Sequence, residues 1–160
     1  MSNSSESADG AGLRQRILDV GQAPQLISLA TLGEDGAPRV RYVTGHLNEH
    51  MELRFGTSLR TPKIAQLRRD NRVSITLRGL SPQVTTWLEI AGQAAISTTI
   101  EERRSFWLDG LRGFFTGPDD PDYCVVIVRP ARIALMSTDG APGGVWTPPA
   151  NSPGQQLRNL

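Results

Sequence analysis

The sequence predicts a mainly β protein: a small closed or partly closed antiparallel barrel of six or seven short strands with a few short helices. Three observations carry this. Glycine and proline, 16 and 11 of 160 residues, turn the chain so often that many short elements are favoured over long helices. Alternating apolar and polar residues recur in short runs, the mark of half-buried strands. The runs between Leu26 and Phe55 also follow one another with no helix between them, whereas parallel strands need a crossover helix.

Taken in order, residues 1–12 are small, polar and acidic and read as a flexible arm, without the basic start and apolar run of a secretory signal. Leu13, Ile17, Leu18 and Val20 give one side to a short helix over residues 13–20 that stops at Gly21. Strands over 26–32 and 38–44 flank an Asp35-Gly36 turn, and a third over 51–55 follows the polar turn at Asn48, Glu49 and His50. Thr61-Pro62 announces a helix over 62–70: a capping hydroxyl, then proline where a missing N–H costs nothing. Residues 73–77 alternate as a strand. After a loop at 79–82, residues 86–96 form a longer strand with Gly92 as a bulge or bend. A helix is expected over 100–111, with Glu101 and Glu102 in its first turn and Phe106, Trp107 and Leu111 on one side. Beyond the break at 117–121 come an apolar strand, 123–129, and an alternating one, 131–136, separated by Pro130. Residues 139–160 hold four prolines and four glycines and read as a tail. The expected organisation is an arm (1–12), one domain (13–138) and a Pro/Gly-rich tail (139–160).

Composition narrows the function. The length suits one domain. With 17 Lys+Arg against 16 Asp+Glu there is no global field to draw in nucleic acid or an anionic membrane. No apolar stretch is long enough to span a bilayer. The single cysteine, Cys124, permits no internal disulfide and fits the cytoplasm; among valines it reads as a buried small side chain. His46 and His50 flank a turn without a third ligand nearby, so no metal is expected.

The segment with chemical content lies at residues 55–65. A strand ends, Thr57 and Ser58 follow, and a capped helix begins with Thr61 and Lys63, so hydroxyls, backbone N–H groups and an ammonium converge as a phosphate requires. The blander alternative is a well-capped helix with a solvated lysine. In residues 39–44, alternation sends Val40, Tyr42 and Thr44 to one face and Arg39, Arg41 and Val43 to the other. An arginine on a partly buried strand face calls for an anionic partner, unless the strand is an edge with both arginines in water. No side chain is an obvious general acid or base.

The order of Ala30-Thr31-Leu32, the turn through Gly36, Arg41-Tyr42-Val43-Thr44, Thr57-Ser58, Thr61-Pro62-Lys63, Asn71-Arg72-Val73-Ser74 and Gly92 resembles the flavin-binding split-barrel proteins related to pyridoxamine 5′-phosphate oxidase. The Gly117-Pro118-Asp119-Asp120-Pro121-Asp122 segment before an apolar strand is similar to their general stress protein branch. The resemblance implies a six- to seven-stranded antiparallel split barrel with two or three short flanking helices, acting as a homodimer with FMN at the subunit interface and a small-molecule redox substrate. It assigns Arg41, Tyr42, Val43 and Thr44 to the flavin or its phosphate, and Thr57, Ser58, Thr61 and Lys63 to the phosphate. Trp107, Phe114 and Phe115 are candidates to reach the partner's flavin, with core packing as the alternative. The oxidase proper carries a basic residue where this chain has His46, an arginine where it has Pro62, and a C-terminal arginine motif with no counterpart around Trp146. These departures point away from vitamin B6 oxidation, and the general stress branch's aromatic pair is missing at Leu135-Met136. FAD or a deazaflavin are alternative cofactors, the charged tail of a deazaflavin falling to Arg60, Lys63, Arg68 and Arg69. Other readings are a non-catalytic module that stores or senses flavin, or a nucleic-acid surface made of those four residues and Arg72, which lacks interleaved aromatics.

Overall fold

The computed structural model describes residues 3–78 and 83–150; the expected loop at 79–82 and the last ten residues of the tail lie outside them. The strands are β1 (Gln25–Leu32), β2 (Pro38–Leu47), β3 (Leu53–Ser58), β4 (Arg72–Leu77), β5 (Thr86–Ser97), β6 (Tyr123–Ser137) and β7 (Gly144–Trp146). They form one antiparallel sheet in the order β3-β2-β1-β4-β5-β6-β7, and β3 also pairs with β6. That last pairing, Leu53↔Val128 through Ser58↔Tyr123, closes the first six strands into a barrel and leaves β7 outside it.

Period-two alternation builds the interior. Ile27 and Leu29 of β1, Leu53 and Phe55 of β3, Val73, Ile75 and Leu77 of β4 and Leu88 and Ile90 of β5 meet Cys124, Val126 and Val128 of β6 in one cluster. Helices stop the two ends. α1 (Asn3–Gly21) inserts Ile17 and Leu18, and its Gly21 lies so close to Leu47 that a side chain there would collide with it and crowd Leu88. α2 (Pro62–Arg69) inserts Ile64 and Leu67 at the opposite end, each worth roughly 1.5–3 kcal/mol of burial. Among the described residues no helix is long and apolar enough to cross a membrane.

Several elements depart from the sequence expectation for identifiable reasons. α1 starts at Asn3, ten residues before the expected helix. β3 begins at Leu53 because Met51 is turned to φ 65 in the turn whose backbone N–H groups at His50 and Glu52 bond the Asn48 side chain. The strands expected on either side of Pro130 are one. Pro130 pairs with Gly92 where the register shifts between Ala91 and Gly92, and at such a bulge a missing N–H is harmless. The helix expected over 100–111 is α3 (Ile100–Ser105), followed by a separate 3₁₀ turn, Asp109–Gly113. Phe106 and Trp107 both pack toward the outer face of β6, which neighbours 100° apart on one straight helix do poorly. With Leu108, Leu111 and Phe115 they cover Tyr123, Val125 and Ile127, so the first half of β6 is buried on both faces and reads as a continuous apolar run. Within the expected tail, residues 144–146 pair with β6 and Trp146 packs on the core.

Candidate functional site

The site grows from the barrel end that α2 covers. Thr57 and Ser58 are the last residues of β3, not residues beyond it, so they point to opposite faces. Thr57 faces inward, 7% exposed, and its hydroxyl accepts a 2.9 Å hydrogen bond from Lys63 Nζ. Ser58 faces outward and donates to Asp122 Oδ2 at 2.5 Å, while the Arg60 N–H donates to Ser58 Oγ at 3.1 Å. The Arg60 guanidinium donates to the same carboxylate at 3.0 Å, and the Leu59 N–H to the Asp122 carbonyl at 2.8 Å. Asp122 thereby fixes the turn between β3 and α2, and the Ser58 hydroxyl beside it holds its carboxyl below the usual range. Thr61 does not cap α2 with its side chain; its hydroxyl donates to the Ser58 carbonyl at 2.9 Å.

On the neighbouring strand, Arg41 lies opposite Leu29 of β1 and so shares the inner face. Its Nη1 donates to Thr31 Oγ1 at 2.6 Å and Leu29 O at 3.4 Å, and its Nη2 to Gln66 Oε1 at 2.8 Å. The Thr31 hydroxyl donates in turn to Gln66 Oε1 at 2.6 Å. Every one of these acceptors is neutral. Among the described residues no ion pair involves either Arg41 or Lys63. Partial burial lowers the Lys63 pKa first, and the positive charge of Arg41 lowers it further. Burial likewise lowers that of Arg41, with Arg39 adding to the effect. Two partly buried cations within electrostatic reach of each other, and without a counter-ion, form a site that gains from a bound anion.

Of the expected site residues, the fold thus brings Arg41, Thr57 and Lys63 together, uses Ser58 and Thr61 to shape the turn, and lays Val43 against the core. Tyr42 and Thr44 lie on the outer barrel face. There Leu26, Val40 and Tyr42 are 58%, 68% and 70% exposed, and register places them on one surface through the pairs Leu26↔Thr44, Ser28↔Tyr42 and Ala30↔Val40. Trp107 packs edge-on to Tyr123 at 5.3 Å and Phe115 lies 5.0 Å from it, both within their own chain, whereas Phe114 is 81% exposed. His46 stacks on Phe106 and His50 is exposed beside Glu49; among the described residues no cluster of metal-ligating side chains occurs. Cys124 is buried, donates to the Thr57 carbonyl, and has its thiol pushed up to about 11 by burial.

Sequence reasoning gave no site role to Thr31, Gln66 or Asp122, although Thr31 and Asp122 lie in segments that carry the family resemblance. A usable signal existed for the first: Ile27-x-Leu29-x-Thr31 sets a hydroxyl on a face otherwise apolar. An open groove of about 480 Å³ between the end of α2 and β5, lined by Arg68, Arg69, Asn71, Arg72 and Gln93, contains none of the residues expected to hold FMN, but it does hold arginines expected for a deazaflavin tail or a nucleic acid. In it Arg72 pairs with Asp70 at 2.6 Å and Arg69 donates to the Leu32 carbonyl, both from exposed positions, whereas Arg41 and Lys63 are partly buried and have no carboxylate partner.

A family model described as pyridoxamine 5′-phosphate oxidase matches residues 13–137. General stress protein 26 of Bacillus subtilis (strain 168) is 30% identical over 129 residues, 78% of this chain and 89% of that protein. The crystal structure of general stress protein 26 from Bacillus anthracis str. Sterne superposes with a TM-score of 0.74 at 20% identity, covering 85% of this chain and 98% of that one. A Clostridium acetobutylicum protein related to general stress protein 26 does so with a TM-score of 0.64 at 15% identity, covering 88% and 92%. The barrel, its helix-covered end and these matches together identify the chain as a member of the pyridoxamine 5′-phosphate oxidase family, similar to its general stress proteins.

Proposed function

We propose that the protein binds FMN and works as a flavin-dependent oxidoreductase on a small-molecule substrate. The observation that carries this reading is the pair Arg41 and Lys63, both partly buried and neither matched by a carboxylate. A flavin phosphate supplies the missing negative charge, with Thr57 orienting the Lys63 ammonium. Bound there, the flavin would supply hydride or electron transfer, and the protein holds and tunes the ring. The exposed apolar surface of Leu26, Val40 and Tyr42 is the surface on which a second copy packs in this reading, so the site is completed in a homodimer. Arg60 and Arg72 are each held by an aspartate, which breaks up the basic cluster a nucleic acid would need. A cytoplasmic location belongs to the same reading.

Chains sharing this fold include an FMN-binding protein from Nostoc punctiforme, an F420 reductase and a heme binding protein from Mycobacterium smegmatis. The fold alone therefore leaves the redox group open, and the choice rests on the residues. A deazaflavin is the second reading, favoured by Arg68 and Arg69 in the groove beside α2, where an anionic tail could lie. The test is the visible spectrum of the purified protein with mass spectrometry of whatever it releases. A yellow protein releasing FMN supports the proposal, and release of a deazaflavin selects the second reading. A colourless protein that takes up neither overturns both.

A further inference from the structure

We propose that Thr31 and Gln66 are positioning residues that hold the Arg41 guanidinium in place without neutralising it, so that the site accepts a dianionic phosphate monoester. The inference rests on the flavin-phosphate reading and deepens it. Gln66 lies three positions after Lys63 on α2, one turn along the same side of the helix. Its Oε1 takes two donors, Arg41 Nη2 at 2.8 Å and Thr31 Oγ1 at 2.6 Å, which uses both lone pairs. The reversed amide would set NH₂ against the guanidinium, so the network itself fixes which end is oxygen. Thr31 is 2% exposed and serves both neighbours at once, accepting from Arg41 Nη1 at 2.6 Å and donating to Gln66. Arg41, Thr31 and Gln66 thus close a three-membered ring of hydrogen bonds that spans β1, β2 and α2.

What matters is the charge of that ring. A glutamate at position 66 would match the shape of Gln66 and offer Arg41 a carboxylate at about the same distance, a stronger pair than the amide gives. The chain instead uses a neutral acceptor, as it does at Thr31 and Leu29, so orientation is achieved while the positive charge stays available beside Lys63. An internal carboxylate would compete with the phosphate for the same cation.

The experiment compares FMN and riboflavin, which differ only in the phosphate, by equilibrium titration of the wild type, Gln66→Glu, Thr31→Val and Thr31→Ser, with thermal denaturation of each. Gln66→Glu should weaken FMN binding about ten- to a hundredfold, leave riboflavin binding unchanged, and keep or raise the melting temperature. Thr31→Val should weaken FMN selectively, and Thr31→Ser, which keeps the hydroxyl, should restore it. Wild-type FMN affinity in Gln66→Glu overturns the inference, as does an equal loss for both ligands, which a merely structural role would give. Should the wild type bind no FMN, the flavin reading fails and inorganic phosphate becomes the probe, against sodium chloride at equal ionic strength. Phosphate stabilisation of the wild type that Gln66→Glu lacks keeps the inference without the flavin. No phosphate stabilisation of the wild type overturns it.

Discussion

Replacing Lys63 with methionine separates the site from the fold. The change keeps an unbranched side chain, shorter by the terminal atom, and removes the charge. On the stability side two effects oppose: the 2.9 Å hydrogen bond to Thr57 is lost, costing about 0.5–1.5 kcal/mol, and a partly buried ammonium repelled by Arg41 is relieved. They offset to within about 1 kcal/mol, so the melting temperature should move by no more than about 4 °C in a chain of this size. On the binding side, a charge-assisted contact to phosphate contributes about 1.5–3 kcal/mol, which corresponds to a loss of FMN affinity of roughly ten- to 150-fold. Riboflavin affinity should not change. Fluorescence titration of both ligands with both proteins, beside a melting curve, reads all of this. Wild-type FMN affinity in Lys63→Met, or an equal loss for riboflavin, would rule out a phosphate contact by Lys63.

The same site sets a pH dependence. FMN affinity should rise as the phosphate loses its second proton near pH ~6. It should fall again where Lys63 loses its proton, at a pH below the ordinary 10.5 because burial and Arg41 disfavour the ammonium; Lys63→Met should lack that alkaline fall while keeping the acid limb. Gly92→Ala should destabilise the fold by about 3 kcal/mol in denaturant titration, because the new methyl meets the Arg129 carbonyl oxygen and Pro130 Cα, backbone atoms that cannot step aside. Tyr42→Glu places a charge on the exposed apolar surface of β1 and β2 and should leave the far-UV circular dichroism spectrum unchanged. Sedimentation should show the wild type as a dimer and the variant as a monomer; a monomeric wild type that binds flavin tightly contradicts the proposed interface.

Much of the barrel was legible because its strands are amphipathic and its turns carry their own markers: Asp35-Gly36 folds as expected, with Gly36 at φ +75, and Gly92 sits at the bulge. Pro130 misled because a proline reads as a strand end unless the partner strand supplies a bulge, and that pairing joins residues 38 apart. The seventh strand was hidden in a Pro/Gly-rich segment because three residues carry no periodicity; Trp146, which packs on the core, was the available hint. In the site, residue types were legible but not their sides. Once β3 extends to Ser58, alternation alone separates Thr57, which meets Lys63, from Ser58, which meets Asp122. Gln66 gave no local signal: a glutamine on a short helix is ordinary, and its role appears only when α2 docks against β1 and β2.

On the proposed reading, Arg41 and Lys63 hold the phosphate of a flavin. Parallel calorimetric titrations of the wild-type protein with FMN and with riboflavin test it most directly. FMN should bind at least a hundredfold more tightly, as two charge-assisted phosphate contacts require. Equal affinity for the two, or binding of neither, would contradict it.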